Sequence, residues 1–180
     1  MRRLLFLVAV VLFTIATFAT MVKPMSVEDL AKNSSAVIEG QAVESWTSWN
    51  AEHTRIYTYT RVKVSQALKG SQSDTVVVKQ IGGSAGGYTQ HVAGVQHMTN
   101  GEKAMLFLRP SEAHDGTMVV VGLMQGHFRI ARDRNTGAAM VTNGVLGAEE
   151  ISGQTVQSYR GAKLTLNAME ARVRKAVSHE

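Results

Sequence analysis

The chain has 180 residues, no cysteine, and 19 basic against 14 acidic side chains. The lack of thiols excludes disulfides, thiolate metal sites and a lipid-modified N-terminal cysteine, so an exported form is held together by its core alone. The formal charge of +5 is scattered apart from 132–134 and 172–175, and prolines number only two, which argues against nucleic-acid binding and against a disordered, Pro-rich chain.

The N-terminus comes first. Met1-Arg2-Arg3 is basic, and Leu4 to Ala19 holds only apolar residues and threonines, the pattern of an export signal. Thr17 and Ala19 are the small residues of a cleavage site after Ala19. The apolar run continues to Val22, which leaves an uncleaved anchor as the alternative. The expected location is therefore periplasmic or secreted, with membrane contact only through this segment if it stays attached. Without Arg2 and Arg3 the balance is 17 basic to 14 acidic residues. About 160 residues then remain, the size of one domain. The pattern divides into a β-barrel over 26–146 and a C-terminal extension, 147–180, with an amphipathic helix.

A short helix is predicted from Ser26, with Asp29 at the capping-box position. Ala36 to Val43 is a strand, and adjacent Val37 and Ile38 imply burial on both faces. Glu44 to Asn50, with Trp46 and Trp49 among small polar residues, reads as a connection or an irregular strand end. Arg55 to Val64 alternates cleanly. Ile56, Thr58, Thr60, Val62 and Val64 face the core, while Arg55, Tyr57, Tyr59, Arg61 and Lys63 form an aromatic and basic outer face. Thr75 to Ile81 is a strand rich in β-branched residues. Four glycines in the six residues Gly82 to Gly87 then predict a loop, followed by an unpatterned stretch to Asn100. Lys103 to Leu108 and Thr117 to Leu123 are strands around an Asp115-Gly116 turn. His127 to Ala131 and Ala138 to Thr142 form a hairpin. Asn167 to Val177 is an amphipathic helix, with Leu166, Met169, Val173, Ala176 and Val177 on one face, Asn167 as cap and Glu170 completing a capping box. Short strands, tight turns and small flanking helices predict a mainly β fold, a small OB-like β-barrel with a short N-terminal and a C-terminal helix. A β-sandwich is the competing architecture.

Ser35 to Val43 (SAVIEGQAV), then Tyr59 to Val64 (YTRVKV) and Leu68-Lys69-Gly70, resembles the opening of netrin-like domains, the group that includes the tissue inhibitors of metalloproteinases. That resemblance implies an OB-type barrel with packed helices. The later segments Gly82-Gly83, Val92-Ala93-Gly94, Gly101-Glu102-Lys103 and Leu106-Phe107-Leu108 are similar to a family of exported bacterial proteins with no assigned activity. The metalloproteinase inhibitors act through an N-terminal cysteine. None exists here, so neither the mechanism nor any functional residue carries over.

Four chemistries compete for the unusual residues. Gly82-Gly83-Ser84-Ala85-Gly86 matches the Gly-x-Ser-x-Gly turn of serine hydrolases, with Asp115 and His127 following in order. The helix that must follow Ser84 is missing. The glycines lack the companions of a phosphate loop. His91, His97, His114 and His127, with Met98 and Met118, would suit a soft metal, but His91 and His97 have no ligand spacing. Trp46, Trp49, Tyr57, Tyr59 and Tyr88 offer an aromatic patch for a sugar or peptide, or the Trp pair simply caps the barrel end. The residues point to an exported, non-enzymatic binding or interaction domain with a protein or cell-envelope partner, a protease being one candidate. Its contact residues are expected at Tyr57, Tyr59, Gly82, Gly83, Gly86, Gly87, Tyr88, His91 and His97. No cofactor, metal or nucleic acid is expected. A small hydrolase using Ser84 and a His/Met metal-binding envelope protein are the alternatives.

Overall fold

The computed structural model describes residues 24–70, 73–143, 148–152, 155–159 and 164–178, so the predicted export segment lies outside the described residues. Among the described residues the fold is mainly β, with one large mixed sheet and two helices. In chain order the elements are α1 (Val27–Lys32), β1 (Ala36–Trp49), β2 (Ile56–Lys69), β3 (Thr75–Ile81), β4 (Gly83–Ala85) and β5 (Tyr88–Gln90). There follow β6 (Lys103–Pro110), β7 (Met118–Val120), β8 (His127–Arg132), β9 (Ala139–Asn143), β10 (Ala148–Ser152), β11 (Thr155–Tyr159), β12 (Leu164–Thr165) and α2 (Leu166–Val177). The large sheet runs β1-β2-β3-β7-β6-β8-β9-β12, and β1 pairs in addition with β6. The β3–β7 contact, Val78 opposite Met118, is parallel. β4–β5 and β10–β11 are separate two-stranded ribbons. Among the described residues no helix is long and apolar enough to cross a membrane.

Side-chain alternation along β1 and β6 separates two cores. Ala36, Ile38 and Ala42 meet Ala104, Leu106 and Leu108 with Val62, Val76 and Val78 from β2 and β3. On the other face Val37, Met105 and Phe107 meet Phe128, Val141 and both helices through Leu30, Met169 and Val173. The predicted two-sided burial at Val37 and Ile38 is thus present, and it extends to β6. Phe107 and Phe128 pack edge to face with centroids 5.7 Å apart.

The helices close the second core. Ser26 and Asp29 form the expected capping box on α1. At its other end Lys69 Nζ donates to the Ala31 carbonyl at 2.9 Å, a cation on the negative end of the helix. The apolar face of α2 is as predicted, but its cap is Thr165 rather than Asn167. The Thr165 hydroxyl accepts from the Ala168 amide at 3.2 Å. Threonine caps adequately, and β12 pairing with β9 already holds Thr165 extended, so the helix starts earlier and brings Leu166 onto the buried side.

Two other expectations are sharpened or changed. Glu44 to Asn50, expected as a connection or an irregular strand end, is the strand end, running to Trp49. It continues β1, with Trp46 opposite Tyr59 and Trp49 opposite Ile56, because β2 supplies a full ladder against it. Gly82 to Gly87 is not the expected loop. Gly83–Ala85 and Tyr88–Gln90 pair as a ribbon, and Gly86 and Gly87, both at positive φ, make the tight turn that such a ribbon needs.

Gly40 marks the closest approach of β1 to β2. A Cβ there would lie 2.5 Å from Val62 Cγ1 and 2.7 Å from the Lys63 carbonyl oxygen, beside a register shift in the ladder. Gly40→Ala is expected to lower stability by about 1–3 kcal/mol, because backbone rather than a mobile chain end must yield. The midpoint of urea unfolding, followed by tryptophan fluorescence, measures it.

Candidate functional site

The β1–β2 hairpin extends past β6 and presents different chemistry on its two faces. Trp46, Tyr57 and Tyr59 lie on the outer face. Thr47, Trp49 and Thr58 alternate with them and lie on the other. Cross-strand register assembles the outer row, since Trp46 is opposite Tyr59, and Tyr59 is opposite Lys79 of β3. The Trp46 and Tyr59 rings stack at 5.5 Å with planes 11° apart. Arg61, ion-paired with Glu44, places its guanidinium 5.5 Å from the Trp46 ring. Lys79 Nζ is 4.6 Å from the Tyr57 ring and 5.8 Å from that of Tyr59.

Asp115, from the β6–β7 turn, pairs with Lys79 at 2.8 Å. The Lys79 hydrogen bond, aided by Thr117, holds the Asp115 carboxyl well below its ordinary range. Burial alone would weaken the Lys79 charge, but Asp115 and the two phenols outweigh it and raise its pKa. Next to this row the same sheet face opens into a cleft of about 310 Å³, lined by Tyr57, Lys79, Ile81, Arg109, Val119 and Leu123. Leu123 is 47% exposed and held at φ 60°, so the turn after β7 projects an apolar side chain at the rim.

The expected contact residues therefore divide. Tyr57 and Tyr59 share the outer row. Gly82, Gly83, Gly86, Gly87 and Tyr88 belong to the β4–β5 ribbon, which packs on the opposite face of the hairpin. The Thr47 hydroxyl donates to the Ser84 carbonyl, and Thr58 Oγ1 donates to the Gly82 carbonyl at 2.8 Å. A Cβ on Gly83 would come within 2.6 Å of Thr58 Oγ1 and 2.8 Å of Thr47 Cγ2, which only glycine avoids. Tyr88, 68% exposed, sets its ring edge to face with Trp49 at 5.7 Å. The tryptophans are split between the two faces and do not form a joint cap. His97 is bonded through Nε2 to the Ile81 carbonyl at 3.1 Å, beneath the ribbon, while His91 is exposed.

The other candidate residues are engaged separately. Ser84 Oγ lies 2.8 Å from Thr89 Oγ1, Asp115 is on Lys79, and His127 is on Glu102. Among the described residues no group of three His, Asp or Glu side chains converges as metal ligands would. No protein-family model matches the chain, and no curated protein sequence matches it.

Lys79, Asp115 and the Glu102 cluster were not legible as a site. The alternation of Val77, Lys79 and Ile81 was the available signal for Lys79. Glu102 Oε1 is 2.9 Å from His127 Nε2, and Oε2 is 2.9 Å from Arg129. An ionised carboxylate only accepts, so His127 Nε2 carries the proton. Thr99 also donates to Oε2 through its amide and hydroxyl, at 3.3 and 3.1 Å. Burial opposes the Glu102 charge, but the bonds from His127 and Arg129 prevail and hold the carboxyl at about 2. The group thus adds stability above its ordinary value of 4.5, and that stability is lost as pH falls from 4.5 towards 2. Glu102→Gln is expected to cost about 1–3 kcal/mol at neutral pH and to remove this part of the acid limb. Urea midpoints of both proteins, measured between neutral pH and pH 3, check it through their convergence in acid.

Proposed function

We propose that this protein is an exported, non-enzymatic binding domain that docks a protein or cell-envelope partner on its Tyr57–Tyr59 face. One observation carries the proposal. Trp46, Tyr59, Tyr57 and Lys79 form a continuous row of exposed or half-buried rings and cations beside an open cleft. Aromatic and cationic side chains already held by stacking and ion pairing lose little freedom on binding, which is what an interaction surface requires. Export is supported by the basic and apolar N-terminal pattern, and periplasmic or secreted location follows from it. A secreted protease remains one candidate partner.

The fold belongs to the same proposal. The pairing order β1-β2-β3-β7-β6, with β6 also on β1 and with β3 parallel to β7, supports a small OB-like barrel. In such barrels the second and third strands and the adjacent loops carry the ligand face, and Tyr57, Lys79 and the turn holding Asp115 occupy those places. The netrin-like resemblance enters for its fold alone, since the chain has no cysteine.

The test uses the full chain and isolated cell envelopes in a co-sedimentation assay. The unaltered protein is expected to sediment in a salt-sensitive manner, and a Tyr57→Ala/Tyr59→Ala variant to bind about tenfold less. Equal binding by the two proteins rejects the face. A fluorophosphonate probe is applied in parallel. Covalent labelling of Ser84, lost in Ser84→Ala, rejects the non-enzymatic assignment in favour of a hydrolase.

A further inference from the structure

A second place on the molecule has the chemistry of a small-molecule site. Glu39, on the part of β1 beside α2, is only 9% exposed, and its Oε1 has no hydrogen-bond partner. Glu170 of α2 stands beside it, and Arg174, one turn further on, reaches Glu170 at 3.3 Å. Burial first, and the Glu170 charge second, push the Glu39 carboxyl up to about 7. Glu170 also shares a hydrogen bond with this carboxyl, yet ionising Glu39 against it lowers stability, and a local rule broken in this way is a feature of functional or strained sites.

Glu39 forms part of the wall of a cavity of about 580 Å³, a size that takes a small organic ligand. Ile130 and Leu166 give it apolar walls, and Lys63, Lys103 and Arg132 stand around it. Strand register explains the two lysines. Both pair with Gln41, Lys63 from β2 and Lys103 from β6, one on each edge of β1. Gln41 is two residues beyond Glu39 on the same face, about 7 Å along the strand. Arg132 donates to the Gly137 carbonyl at 3.2 Å. Neither lysine has an ion-pair partner among the described residues.

We propose that this cavity binds a dipeptide zwitterion with small apolar side chains, its ammonium on Glu39 and its carboxylate between Lys63 and Lys103. Two extended residues span about 7 Å, the backbone spacing between Glu39 and the Gln41 position at which the two lysines pair. The apolar side chains meet Ile130 and Leu166. Among the residues that line the cavity Glu39 is the one carboxyl against Lys63, Lys103 and Arg132, so a ligand that pairs its ammonium there must carry a carboxylate as well. Pairing with an ammonium requires Glu39 ionised, so binding at pH 6 releases a proton from it, whereas at pH 8 Glu39 is mostly ionised and the dipeptide amine, with an ordinary pKa of about 8, takes up protons instead. Lys63, Lys103, Arg132, Glu170 and Arg174 are the charges that face Glu39 from the surrounding strands and helix.

Isothermal titration calorimetry on the full chain tests this with L-alanyl-L-valine, its N-acetyl derivative and its C-terminal amide. Saturable one-site binding of the free dipeptide is expected, weakened about tenfold or more by acetylation, by amidation, by Glu39→Gln and by Lys103→Gln. Titrations in two buffers of different ionisation enthalpy are expected to show proton release at pH 6 that gives way to proton uptake at pH 8. Glu39→Gln relieves repulsion in the fold and is expected to unfold at a higher urea concentration than the unaltered protein at pH 8, so loss of binding in a folded variant reports the site. The acetylated and amidated probes test the same points on unaltered protein. No saturable binding of the free dipeptide at millimolar concentration overturns the proposal. Undiminished affinity for the acetylated probe or in Glu39→Gln overturns the ammonium site, and undiminished affinity for the amide overturns the lysine pair.

Discussion

The structure depends on the first half of β1. From Ala36 to Gln41 this strand is hydrogen-bonded along both edges, to β2 on one side and β6 on the other, and Ala36 to Ile38 are buried on both faces. Backbone groups in such a place have no recourse to water, so every one must find its partner in a neighbouring strand. That demand fixes the register of β2 and β6 together, and through them the two cores. It also explains Gly40, where the neighbouring strand comes too close for a side chain. The same enclosure leaves Glu39 in its unusual state, since a side chain on a two-sided buried strand has little access to solvent.

Beyond Ala42 the same strand obeys different rules. It leaves β6 and continues with β2 as an arm of the sheet. One face of this arm is covered by the glycine ribbon, whose carbonyls are bound by Thr47 and Thr58. The other face is left to Trp46, Tyr57, Tyr59 and the cations that lie over them. Stacked rings and cation–ring contacts contribute about 0.5–1.5 kcal/mol each, enough to order long side chains that would otherwise be mobile. The aromatic row is thereby a firm surface on a projecting arm, and the Lys79–Asp115 pair ties it to the turn at the mouth of the cleft.

Much of this was legible in local pattern. The alternation from Arg55 to Val64 separates core from outer face residue by residue, adjacent Val37 and Ile38 indicate a strand buried on both sides, and the spacing of Met169 and Val173 marks the buried face of α2. What escaped was decided by distant partners. Glycines carry no periodicity, so Gly82 to Gly87 looks like a loop until Thr47 and Thr58 are seen to hold it as a ribbon. Glu102 meets His127 and Arg129 across 25 and 27 residues, and nothing in its immediate neighbours announces that bond. Glu39 looks like an ordinary polar position in an apolar strand, because the helix that encloses it lies more than a hundred residues further along.

The two helices have a consequence for how the chain matures. Val27, Leu30 and Ala31 share a core with Met169 and Val173, and Glu28 receives two hydrogen bonds from Arg172, at 3.0 and 2.7 Å, across 144 positions. The first helix thus has its docking surface completed by the last. A nascent chain carries α1 unhoused until Met169 and Val173 have been made, and the second core closes only once α2 has emerged. Contacts this far apart in sequence form late, so the apolar face of α1 stays uncovered while the intervening strands are made.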